Sequence, residues 1–170
     1  YIELANIVGD GEISGSTELM GDELPSRARR KVSNGDVIIS SVEGSLSSVA
    51  VITEDYEGVL CSTGFHVVNS SIINSETLMV LMKSIVGQMQ LNKGCSGSIL
   101  QAITKEEFKK IVLPIINDET QEQIKQYIRE TFWLREQANH LLNCAKKSVE
   151  IAIEQDEKSA IKWLDSQIYS

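Results

Sequence analysis

From residue 37 the chain alternates short β-branched runs with Gly, Asp, Asn and Ser: VIISSV (37–42), SVAVIT (48–53), VLC (59–61) and FHVVN (65–69). Four strands are expected there, because β-branched side chains fit a pleated surface and the small polar residues between them favour turns. At Ser75 the period changes. Leu78, Leu81, Met82, Ile85 and Met89 repeat at helical spacing, predicting one helix over SETLMVLMKSIVGQMQL. A Gly/Ser loop, KGCSGS (93–98), leads to ILQAI, a further strand candidate. Thr104, with Glu107 three positions on, fits a capping box for a short helix that ends before Pro114.

Beyond Asn117 the pattern is different again. From Asp118 to about Ser166 there is neither Pro nor Gly. Ile124, Ile128, Ala138, Leu142, Ala145, Val149 and Ala152 form a narrow stripe with steps mostly of three and four. A second row, Tyr127, Leu134, Leu141 and Ile153, widens it, while Thr131 and Arg135 interrupt its first half. A single helix over this stretch would be roughly 73 Å long at 1.5 Å per residue; two helices joined by a turn are the alternative. Either way the stripe needs a partner surface. The pattern therefore predicts an α+β chain. Residues 1–116 form a mixed, β-rich globular domain, and residues 117–170 a long C-terminal helix that pairs in a coiled coil.

The formal charge is −8 over 170 residues, unevenly placed. Residues 1–24 hold six acids and no base, whereas Arg27, Arg29, Arg30 and Lys31 fall within five positions. An acidic total argues against indiscriminate polyanion binding, but a ligand meets local patches. No window is apolar enough to span a membrane, and the amino end has no secretory pattern. The chain starts at Tyr1 without an initiator Met, as expected of a piece of a longer polypeptide. Cys61, Cys95 and Cys144 are odd in number, widely spaced and without CxxC or His/Cys clustering. They are expected to be free thiols in a reducing cytoplasm.

Motifs for chemistry are missing. GDGEIS carries Asp10, Glu12 and Ser14 like a calcium loop, but Gly21 stands where a bidentate Glu is needed, so a surface turn is expected. CSGS is one residue wrong for a nucleophile elbow. His66 and His140 lack neighbours that would make either a catalytic base. Glu107 and Lys109 form an ExK pair without the upstream Pro-Asp of nucleases, and no amino-methylation motif is present. No catalytic residue, metal site or cofactor is expected. Binding is favoured instead. Arginine forks suit phosphate or the guanine edge, and Ser40, Ser41, Ser45, Ser47 and Ser48 supply short donors. Lys93, Ser96 and Ser98 add a second donor-rich loop. A solvated loop is the plain alternative for the cations.

Five segments, in order, resemble the target recognition domain of type I restriction–modification specificity subunits: SRARRKVSNGDVIISSVEGSLSSVAVI (26–52), STGFHVVN (62–69), SETLMVLMKS (75–84), SGSILQAI (96–103) and IVLPIINDETQEQI (111–124). In the last, Leu113-Pro114 and Gln123-Ile124 occupy places of the segment that leads into that family's long helix, with Ile115 in place of its usual second proline. Such subunits carry two recognition domains and two antiparallel helices. One of each here implies a half-subunit, or the recognition region of a fused methyltransferase–specificity polypeptide. The resemblance implies a non-catalytic, cytoplasmic component that reads duplex DNA and directs separate methyltransferase and endonuclease subunits. Arg27, Arg29, Arg30, Lys31, Ser41, Ser45, Ser47, Lys93, Ser96 and Ser98 would face DNA, and the Ile124-to-Ala152 stripe would mediate self-association. A protein-interaction adaptor acting through the helix remains the competing reading.

Overall fold

The computed structural model describes residues 1–9, 11–97 and 101–168, of which Ile168 is placed by its backbone alone. In chain order the strands and helices are β1 (Ala28–Lys31), β2 (Val37–Ser40), β3 (Val49–Val51), β4 (Leu60–Ser62), β5 (Phe65–Val68), α1 (Ser75–Lys83), α2 (Ile85–Gly94), β6 (Cys95–Ser96), β7 (Ala102–Ile103), α3 (Lys105–Phe108), α4 (Asp118–Glu154) and α5 (Glu157–Ile168). This is the α+β arrangement, with a long C-terminal helix, that the hydrophobic pattern predicts. Two compact units result, Tyr1–Lys125 and Gln126–Ser170.

In the first unit β2 is the central strand of an antiparallel β3–β2–β5 sheet, pairing Ile38 with Ala50 on one side and Val67 on the other. All four β2 residues are buried. Ile38 joins a core of Ile2, Ile13, Val32, Ala50, Ile52, Cys61 and Phe65, and α1 packs over β2 and β3. A strand covered on both faces has no polar side, so VIIS reads as an unbroken apolar run. The N-terminal segment adds Ile2 beside β4, through Ile2 N donating to Leu60 O and Ser62 N to Ile2 O. Its turn at Gly11 lies against α1. A β-carbon there would stand 2.2 Å from Met79 Sδ, on a backbone with φ +90°.

The expected helix from Ser75 is in fact two. Ser84 has extended backbone, ending α1 and capping α2 through its hydroxyl, which accepts from Gly87 N at 3.2 Å. Gly87 lets the turns meet, since a β-carbon there would be 2.3 Å from Leu81 O. A serine that can cap competes with helix continuation, and apolar spacing does not register that competition. The four cations also differ from expectation. They are not the solvated loop of the plain alternative; three of them are in β1 itself, paired with β4. Of ILQAI, Ala102 and Ile103 are strand, while residues 99 and 100 lie outside the described residues.

The C-terminal stretch is likewise two helices, not one. It breaks at Gln155–Asp156, where the Asp156 carboxylate accepts from Ser159 N at 2.8 Å and caps α5. α4 has 37 residues, about 55 Å of helix. Within the second unit the buried side chains are Cys144 and Ile151 of α4 and Ala160 of α5, with Ser148, Trp163 and Leu164 half-buried. Of the predicted stripe, Ile124, Ile128 and Ala152 are half-buried, whereas Ala138, Leu142, Ala145 and Val149 are exposed.

Candidate nucleic-acid interface

Four segments of the first unit converge through backbone hydrogen bonds. Thr63 N donates to Arg27 O at 2.9 Å, which ties the start of β1 to the β4–β5 turn. The Gly64 carbonyl in that turn accepts from both Ser41 N and Ser41 Oγ, at 2.8 and 2.9 Å. Ser41 O in turn accepts from Ile103 N at 2.8 Å, and Glu43 N donates to Gln101 O at 2.9 Å. Arg27, Ser41 and residues 101–103 are thereby linked through the turn at Thr63 and Gly64.

The predicted residues take different positions in this arrangement. Arg27 is exposed beside Thr63. β1 carries an irregularity between Ala28 and Arg30, and its exposure alternates, with Arg29 and Lys31 outward and Arg30 half-buried. The Arg30 guanidinium donates to Phe65 O, so it closes the fold more than it faces a ligand. Arg29 Nε donates to Ser26 O at 2.6 Å, and Lys31 lies beside the turn at Gly58. Ser45 Oγ bonds Ser40 Oγ at 2.9 Å and donates to Val42 O at 3.0 Å, so this hydroxyl shapes the turn. Ser47 is exposed, and its carbonyl accepts from Lys83 Nζ at 2.9 Å. Burial of Lys83 pulls its pKa down. Ser96 pairs with Ala102 in the β6–β7 ladder. Lys93 is exposed at the end of α2, where it lines a cleft with Gln90, Gly94, Glu107 and Lys110. Ser98 lies outside the described residues.

Behind this surface His66 is packed, as its place in an alternating strand suggests. Its ring stacks on Phe108 with centroids 4.3 Å apart, and Nε2 meets Ile103 O at 3.1 Å. Burial lowers its pKa, with the Ile103 carbonyl opposing and Arg30 adding to the fall. Burial pushes the Cys61 thiol up to about 11, against the opposite pull of Arg30. The three cysteines are free. Glu107 pairs with Lys110, not with Lys109 of the ExK pair, at 2.5 Å, and Thr104 Oγ1 accepts from Glu107 N, so Glu107 serves a helix cap and an ion pair. Among the described residues no group of three or more His, Cys, Asp or Glu is placed to hold a metal.

Sequence reasoning missed the side chains that brace this surface. Gln88 Nε2 donates to Leu46 O and Met82 O, which with Lys83 anchors the serine turn from behind. Gln121 is buried at the first turns of α4. Its Oε1 accepts from Asn74 N at 2.8 Å, and its Nε2 donates to Ile72 O and Ile116 O at 3.0 and 2.8 Å. Gln123, singled out from the sequence, is exposed. The alternation of polar and apolar residues gave no sign of which glutamine would be covered.

A family model described as the type I restriction modification DNA specificity domain matches residues 9–135. The chain belongs to that family. Solved structures agree with the specificity-domain fold. The HsdS subunit from Thermoanaerobacter tengcongensis is 25% identical with a TM-score of 0.64, and the match covers 90% of this chain and 40% of that one. A structure titled for complex assembly and conformational transition of the type I R-M system is 24% identical, with a TM-score of 0.65 and the same coverages. The match thus spans about 40% of the length of those chains. No curated protein matches the chain. No helix among the described residues is long and apolar enough to cross a membrane.

Proposed function

We propose that this chain is the part of a type I specificity subunit that reads one half of a duplex DNA target, and that it directs a separate methyltransferase, with its endonuclease, to that site. The observation that carries the reading is the bonded convergence of Arg27, Thr63–Gly64, Ser41 and Gln101 in a chain of this family. It ties the backbone of an exposed arginine to segments that carry hydroxyl and amide side chains, and arginine, serine and glutamine are residue types suited to phosphate positioning and base-edge contact. Residues 1–116 would do the reading and residues 117–170 the spacing. The chain itself would carry no catalysis. It would act in the cytoplasm without a cofactor of its own.

The exposed Ala138, Leu142, Ala145 and Val149 favour a partner for α4, and a second copy of the chain is the simplest one. Two-fold pairing would give a palindromic or nearly palindromic target. The adaptor reading rests on the same stripe, and DNA binding separates the two. Affinity for a preferred duplex should fall steeply with salt, and Arg27, Arg29 and Lys31 changed together to Ala, with Arg30 left to hold the Phe65 carbonyl, should weaken it. Sequence preference with salt-sensitive affinity supports DNA recognition, whereas their absence with partner binding intact supports the adaptor. Methylation or cleavage by the purified chain alone would refute the division of labour.

A further inference from the structure

One exposed side chain in the converging segments carries the wrong sign for a surface that meets a polyanion. Glu43 stands on the turn after β2, and the Gln101 amide serves its carboxylate. In the bonded orientation of that amide, the nitrogen lies 2.9 and 2.7 Å from the two carboxylate oxygens. The backbone beneath both residues is tied down. Val42 bridges Ala102, Glu43 N donates to Gln101 O, and Ile103 N donates to Ser41 O. Lys83 and Gln88 hold the other side of the turn at Ser47 O and Leu46 O. The pair therefore projects from cross-bonded strands and is aimed before any ligand arrives.

With the amide hydrogens turned toward Glu43, the pair offers acceptors: the remaining carboxylate lone pairs and the Gln101 carbonyl oxygen. A carboxylate gains nothing from phosphates, which have no donor. In the major groove the donors a duplex presents are exocyclic amino groups, N6 of adenine and N4 of cytosine. We propose that Glu43, oriented by Gln101, is a specificity-determining residue that accepts a hydrogen bond from an exocyclic amino group of a base in the major groove. This rests on the DNA-recognition reading above. Gln101 acts as a positioning residue and Glu43 as the reader.

The test uses the full chain. A preferred duplex is first selected from a randomised double-stranded oligonucleotide pool. Binding is then measured at several salt concentrations on duplexes in which one adenine at a time is replaced by purine, or one cytosine by pyrimidin-2-one. At one position, loss of the amino group should weaken wild-type binding about tenfold, in the range of a lost base-edge contact. E43A should bind both versions alike while keeping the wild-type salt slope. The purine arm identifies adenine as the source and the pyrimidinone arm cytosine. Q101A should reduce the discrimination without abolishing it. E43Q, with an unchanged melting temperature, guards against misfolding and should discriminate less than wild type. The proposal is overturned if E43A keeps the full wild-type preference at every position. It is also overturned if E43A binds all duplexes tighter by one common factor, since the carboxylate would then merely repel phosphates. A wild-type chain without any preferred sequence would bring down the DNA-recognition reading as well.

Discussion

Arg27 and Arg30 are three positions apart and do different work. The Arg30 guanidinium satisfies the Phe65 carbonyl, whereas the Arg27 side chain is exposed and only its backbone is engaged. Arg30→Ala should lower unfolding stability in urea by about 1–3 kcal/mol, the cost of leaving a covered acceptor unpaired. Arg27→Ala should leave the urea midpoint unchanged and reduce the slope of log affinity against log salt by about one. His66 gives a pH-dependent counterpart. Its pKa is lowered in the fold by burial, so at mildly acid pH the unfolded chain binds the proton more readily. The stability contributed by neutral His66 is complete above the ordinary histidine value of about 6.5. It should decline as pH falls toward the lowered folded value, and His66→Gln should flatten that decline in urea titrations at pH 5.5 and 7.5. The run of cations was plain in the sequence. Which of them would be spent on a carbonyl was not, because that depends on a partner 35 residues away.

The strands were legible where their physics is local. VIIS, VAV and FHVV each carry enough apolar, β-branched surface to declare themselves, and Thr104 caps α3 as its spacing with Glu107 suggests. The breaks were not legible. Ser84 and Asp156 each interrupt a helix by offering a side-chain acceptor to the turn that follows; the apolar spacing passes Ser84 without a gap, and neither Pro nor Gly marks the break at Asp156. The first break has a steric requirement that can be checked. Gly87→Ala places a methyl against the Leu81 and Met82 carbonyls, and backbone cannot yield as a flexible side chain can. The variant should be less stable by about 1–3 kcal/mol in urea, through the strain of overpacking.

For the whole molecule, the telling feature is apolar surface left in the open. Leu142 and Val149 are 54% and 59% exposed on α4. If two copies pair through this stripe, Leu142→Glu with Val149→Glu should convert a dimer to a monomer in light scattering at tens of micromolar. A wild-type chain that is monomeric there would remove self-association from the proposal. The stripe could be read from the sequence because a heptad-like spacing is periodic. The Glu43–Gln101 contact could not, because 58 residues separate the two and it takes the Val42–Ala102 bridge and its neighbouring backbone bonds to bring them together.

Gln121 has a consequence for how the molecule opens. Because its carboxamide serves Asn74, Ile72 and Ile116 at once, the first turns of α4 cannot come undone without exposing three main-chain groups of the globular unit. The helix should thus show two exchange regimes in deuterium. Amides around Leu78 and residues 121–125 should surrender their protons together, on the slow clock of the core. Those near Ala138, in the exposed stretch, should trade theirs far sooner, and Gln121→Ala should bring residues 121–125 onto the faster clock.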